Sequence, residues 1–112
     1  MIKQIVLGIV NKRRIVERPK GQLYFPDTKS RATFVKKKNF IFIPHIRSHL
    51  SGDARLLIEE LYKRFPNRAF RTDVHITPKR KRALQFWKSE GFRIIEKVKT
   101  PGMSFYLMER KP

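Results

Sequence analysis

A chain of 112 residues with 40% hydrophobic and 12% aromatic content has the makings of one folded domain and excludes a disordered basic tail. The absence of cysteine excludes a disulfide framework, a thiolate metal centre and a cysteine nucleophile, and the scattered His45, His49 and His75 lack zinc-ligand spacing, so no metal is expected. Twenty-seven Lys and Arg against nine Asp and Glu leave a formal charge of +18, a balance that draws a protein to polyanions: nucleic acid, acidic membranes or phosphorylated cofactors.

In chain order, the opening MIKQIVLGIV is apolar but too short to span a bilayer and has no small-residue cleavage site, so a cytoplasmic protein without a membrane partner is expected. Residues 2–10 and 13–18 are β-rich on either side of Asn11 and Lys12 and predict a hairpin, ended by Pro19 and Gly21. A short strand over residues 22–25 and another over 32–35 follow, then the turn Lys36, Lys37, Lys38, Asn39. The run NFIFIPHI, residues 39–46, reads as a strand buried on both faces, with Pro44 marking a bulge or an exit.

From residue 54 the period changes. Ala54, Leu57, Ile58, Leu61, Tyr62 and Phe65 fall on one helical stripe, with Ser51 or Asp53 as the expected cap and Pro66-Asn67 as the stop. Phe70, Thr72, Val74 and Ile76 alternate with Arg71, Asp73 and His75, which predicts a strand with one apolar face. Thr77-Pro78 opens a second helix whose buried side is Ala83, Leu84, Phe86 and Trp87, and Gly91 closes it. FRIIEKVK and SFYLMER form a last hairpin around Pro101-Gly102. The strand–helix–strand unit requires parallel or splayed neighbours joined by a right-handed crossover, so a mixed α/β sheet is expected.

Three pieces of the second half, in order, carry a resemblance to the GCN5-related N-acetyltransferase (GNAT) family: FIFIPHIR, then HLSGDARLL, then ALQFWKSEGF. HLSGDARLL resembles that family's acetyl-CoA loop, with His49 at its Arg/Gln position and Gly52 and Ala54 at its small positions. ALQFWKSEGF is similar to its Ala-x-x-Phe/Leu-Tyr-x-x-x-Gly-Phe signature. The resemblance covers residues 39–112. It implies a mostly antiparallel mixed sheet with a β-α-β-α-β-β C-terminal half, a shortened N-terminal region of strands over residues 1–38 within a single domain, and acetyl-CoA as cofactor. Two positions depart from the pattern: Arg80 stands where the family often has Asn, and Trp87 stands at the proton-donating Tyr, where an indole cannot supply a proton at useful acidity.

The loop has its own physical logic. Small residues at Ser51, Gly52 and Ala54 let backbone N–H groups approach a pyrophosphate at a helix N-terminus, and Asp53 would repel that anion; the resemblance implies Arg47, His49 and Arg80 as supporting cations on the cofactor side. An ordinary glycine-containing helix start is the alternative. For a general base, His45 ends the buried strand, and Asp73 and His75 share a strand face two residues apart, so that the carboxylate can hold an imidazole proton; a solvated strand face is the alternative.

Four consecutive cations, Lys79, Arg80, Lys81 and Arg82, stand at a helix start, where each exposed one costs on the order of 0.3–1 kcal/mol. The few charges of CoA do not answer Lys12, Arg13, Arg14, Lys36, Lys37 and Lys38 as well. A polyanionic partner such as DNA, RNA or a ribonucleoprotein answers more of them. Two functions are therefore expected to compete: an N-acetyltransferase acting on an amine of a macromolecule, and a catalytically inactive domain of the same fold that binds nucleic acid through its basic faces.

Overall fold

The computed structural model describes the backbone of residues 5–10 and 13–112 and the side chains of residues 13–112. The elements run β1 (Ile5–Val10), β2 (Arg13–Arg18), β3 (Gln22–Tyr24), β4 (Arg31–Lys36), β5 (Phe40–Arg47), α1 (Asp53–Arg64), β6 (Ala69–His75), a 3₁₀ turn (Pro78–Arg80), α2 (Lys81–Ser89), β7 (Arg93–Thr100) and β8 (Met103–Arg110). Among the described residues no helix is long and apolar enough to cross a membrane. The chain divides into two compact units: one holds the described residues up to Val35 with Pro44–Pro66, the other Lys36–Ile43 with Asn67–Pro112. β5 contributes its first half to the second of these units and its second half to the first.

In the first unit β1 to β4 form an antiparallel meander, with Val16 opposite Tyr24 and Leu23 opposite Ala32. The two residues of the expected first turn, Asn11 and Lys12, lie outside the described residues. Ile15, Val16, Leu23, Phe25, Ala32 and Phe34 are buried, and α1 buries Leu57, Ile58 and Leu61 from its predicted stripe, each worth roughly 2 kcal/mol. The far end of α1 is tied down by the ring of Phe65, 5.8 Å from that of Phe34, and by an Arg64–Glu17 ion pair.

Gly21 turns the chain between β2 and β3 at φ +75°, and its carbonyl accepts the Phe34 N–H at 2.8 Å. A Cβ there would collide with the Phe34 carbonyl oxygen, which is backbone and cannot swing away. Gly21→Ala is therefore expected to lower the unfolding free energy by about 2 kcal/mol or more, read from the urea midpoint at unchanged m-value.

In the second unit the strands lie in the order β5-β6-β8-β7. The β5–β6 ladder is parallel, from Phe40 opposite Ala69 to Phe42 opposite Arg71, and the β6–β8 and β8–β7 ladders are antiparallel. Phe70, Thr72 and Val74 are buried, as the alternation requires, and the Thr72 hydroxyl donates to the Ile43 carbonyl at 2.8 Å, which leaves no unpaired hydroxyl at that position in the core. The sheet is thus mixed and mostly antiparallel, as expected.

Three expectations are corrected. β5 is not buried on both faces: Ile41 and Ile43 are buried, Phe40 and Phe42 only half so, and the strand continues through an exposed Pro44. The cap of α1 is neither Ser51 nor Asp53 but Gly52, in the left-handed region at φ +91°, with no side-chain cap bond. Thr77-Pro78 opens a 3₁₀ turn, and α2 begins only at Lys81. The C-terminus of α2 closes as its glycine predicts: Gly91 at φ +91° donates its N–H to the Lys88 carbonyl at 3.1 Å, and Phe92 donates to that of Trp87 at 3.0 Å.

Candidate functional site

The start of α1 is organised by a buried ion pair that sequence reading did not find. Asp53, expected to repel an anion at this loop, has its side chain 1% exposed. Arg13 reaches Asp53 Oδ1 at 2.5 Å and Oδ2 at 3.1 Å, while the Ser30 and Thr28 hydroxyls donate to Oδ2 at 2.6 and 2.7 Å. The same guanidinium holds Asp27 at 2.7 and 2.9 Å and lies 4.1 Å from the centre of the Phe25 ring. The hydrogen bonds from Arg13 lower the Asp53 carboxyl to about 2, helped by Ser30 and Thr28 against the opposing cost of burial. Asp27 is likewise lowered by Arg13, and Arg13 is raised by Asp27 first and Asp53 second.

The consequence for the loop is electrostatic. The acidic side chain in the first turn of α1 is turned inward onto Arg13, and the carboxylate left half-exposed on that guanidinium is Asp27, from the loop between β3 and β4. Ser51 and Gly52 are exposed, and the space where a Cβ of Gly52 would project is open to 4 Å. The loop before it is pinned from inside, since the His49 N–H donates to the Ser30 hydroxyl at 2.8 Å and Ser48 closes on the Leu50 carbonyl at 2.6 Å. Arg47 and His49 are exposed, and Ala54 is half-buried. These features fit a phosphate group: a helix N-terminus without a side-chain cap, though the Asp53 N–H donates to the Leu50 carbonyl at 3.0 Å, room above a glycine, and cations within a few residues.

The second unit contains a cavity of about 360 Å³ whose lining includes Val74, Leu84, His75, Tyr106, Arg80 and Lys81. His75 ends β6, and Tyr106 comes from β8, directly opposite Val74. Asp73 and His75 share a strand face as expected, but no hydrogen bond or ion pair joins them among the described residues; they are i, i+2 neighbours about 6.5 Å apart along the strand, and nothing draws the exposed imidazole back to the carboxylate. Tyr106, expected from the sequence to be a core or hairpin-packing residue, contributes a polar side chain to this lining. Its signal was the alternation of β8, which puts Tyr106 on the same face as buried Met108.

The other expected residues are dispersed. His45 is exposed in the part of β5 that belongs to the first unit. Lys79, Arg80, Lys81 and Arg82 are all exposed around the 3₁₀ turn and the first turn of α2, without a carboxylate in that turn. Lys36 is exposed at the end of β4 and Lys37 and Lys38 in the turn before β5, and Arg14 is exposed on β2, while the guanidinium of its neighbour Arg13 is committed to two carboxylates. Trp87 is 4% exposed, its indole edge-on to the rings of Phe86 at 5.2 Å and Phe92 at 4.8 Å.

No family profile matches the chain, and no curated protein does. Solved structures do match. One named as a GNAT-family acetyltransferase from Bacteroides thetaiotaomicron superposes with a TM-score of 0.62 at 20% identity, over 81% of this chain and 61% of that one. An acetyltransferase from Bacillus cereus gives 0.61 at 17% identity, over 99% of this chain and 74% of that one. The fold is that of the GNAT acetyltransferases. A third structure with this fold, named as a GNAT-family acetyltransferase from Bordetella pertussis, gives 0.55 at 14% identity, over 88% of this chain and 65% of that one. The chain thus spans about three fifths of the length of the Bacteroides thetaiotaomicron protein. Use of acetyl-CoA is a trait of the GNAT acetyltransferases that these structures are named as.

Proposed function

We propose that the protein is a small, strongly basic N-acetyltransferase that uses acetyl-CoA to acetylate an amine of a macromolecular acceptor. The supporting observation is the start of α1: an open glycine in the left-handed region, no side-chain cap, and an acidic side chain withdrawn into a pair with Arg13. Residues 51–54 would hold the pyrophosphate, with Arg47 and His49 as neighbouring cations. Bound acetyl-CoA would supply an activated acetyl thioester. The chain's own task is to bind, orient and deprotonate. His75 lines the cavity of the second unit and is the candidate general base, an imidazole facing that space. Arg80, on the same cavity, supplies positive charge for an anionic group.

Calorimetry tests the loop. Acetyl-CoA is expected to give saturable heat with the wild type and at least 10-fold weaker binding with Gly52→Glu, while Gly52→Asn, tolerated at positive φ, stays within about 3-fold. A wild type without saturable heat overturns the proposal.

A catalytically inactive GNAT-like domain that binds DNA or RNA is the second reading, and Trp87 favours it. The signature position that offers a phenol in the family is here a core indole. Free-thiol release from acetyl-CoA in the presence of amine acceptors separates the two: steady release supports the enzyme, and none, with steeply salt-dependent DNA binding, supports the inactive domain.

A further inference from the structure

The end of the second unit formed by the N-terminal ends of β5 and β6 gathers cations from separate parts of the chain. The ladder registers bring four chain segments to this one end: the turn before Phe40, residues 67–69 before Phe70, the start of β7 at Arg93, and the end of β8 at Arg110 and Lys111. Lys37, Lys38, Arg93 and Lys111 are exposed there, and none of the four has an ion pair among the described residues. Arg68 donates to the carbonyls of Lys37, Lys38 and Phe40, and the Lys37 N–H closes the turn on the Phe40 carbonyl at 2.9 Å. One cation thus fixes the backbone that carries two others. Two acids lie near: Glu109 is taken by Arg71 at 2.8 Å, and Glu90 caps α2 beside Gly91.

Like charges gathered from several segments onto one surface repel one another, and the side chains around them offer little compensation. We propose that this strand-end surface is the docking site for the phosphodiester backbone of a nucleic acid. It deepens the polyanion reading by naming the surface, it lies at the opposite end of β6 from His75, and it requires no acetyl transfer. Four adjacent strands span roughly 15 Å, a length of duplex that carries about nine phosphate charges, so several can be met at once. A membrane is the weaker partner because the tip is built from Lys, Asn and Arg. The nearby exposed isoleucines, Ile94 and Ile95, lie inside β7, with Ile94 opposite the buried Met108, and form no wedge beyond the cations.

The test is a fluorescence anisotropy titration of a labelled 20-base-pair duplex at several salt concentrations, with folding of each variant checked by circular dichroism. About four phosphate contacts predict a log–log salt slope near −4 for the wild type. Lys37→Glu/Lys38→Glu is expected to weaken binding at least 10-fold at 100 mM salt and to reduce the slope by about 2, and Lys37→Gln/Lys38→Gln to do so less steeply if the reversal unfolds. Lys81→Glu/Arg82→Glu, which changes the net charge equally, should weaken it less than about 3-fold. Equal losses from the two reversals overturn the surface assignment and leave only diffuse net charge. Absence of wild-type binding at low salt, or binding to phosphatidylserine vesicles but not to duplex, overturns the nucleic-acid partner altogether.

Discussion

Arg13→Ala is expected to cost roughly 3–5 kcal/mol of folding free energy at neutral pH, because it leaves the Asp53 carboxylate buried without its counter-charge. The Ser30 and Thr28 hydroxyls remain, but two neutral donors do not replace a guanidinium that grips both oxygens. Urea unfolding measures the loss, and a double-mutant cycle with Asp53→Asn isolates it: once the charge is gone, removing Arg13 should cost much less. If the double mutant is as unstable as the two single losses summed, the pair is not coupled and this account of the loop is wrong.

The same pair sets an acid limit. Asp53 is held at about 2 in the folded protein, below the ordinary carboxylate value of 3.8. A lowered folded value means that the carboxylate contributes stability fully above about pH 4 and loses it as pH falls through about 2. The contribution is on the order of 2 kcal/mol. In Arg13→Ala the main lowering cause is gone while burial still favours the neutral acid, so acid unfolding should begin at a higher pH than in the wild type, as followed by circular dichroism.

How much of this was legible in the sequence depends on the range of the interaction. The β6 alternation, the α1 stripe and the glycine closure of α2 are local patterns, and the structure reproduces them. The GNAT-like loop and signature could be placed because their residues are consecutive. The Arg13–Asp53 pair spans 40 positions, and nothing in a run of basic residues marks one arginine as internal; only the fold brings β2 to the start of α1. The Asp73–His75 pair failed for the opposite reason. Spacing by two guarantees a shared face, not a hydrogen bond, and an exposed imidazole has water as its competitor. The cation cluster at the strand ends was legible only in part, because Lys36, Lys37 and Lys38 are consecutive while Arg68, Arg93 and Lys111 join them through sheet register.

Trp87→Ala should destabilise the protein by about 3–5 kcal/mol, the usual cost of removing a large aromatic from a core. The indole is 4% exposed and lies between Phe86 and Phe92, and its own carbonyl accepts the Phe92 N–H that closes the helix, so the ring packs directly against the residue that ends α2. The variant has no tryptophan left, so the urea midpoint followed by far-ultraviolet circular dichroism reports the loss. Trp87→Tyr separates packing from chemistry. If the position is only core, the smaller ring costs about 1–2 kcal/mol and leaves the rate of thiol release from acetyl-CoA unchanged. A rise of more than 10-fold in that rate would instead mean that a phenol here reaches the reacting atoms, and the assignment of Trp87 to the core alone would fall.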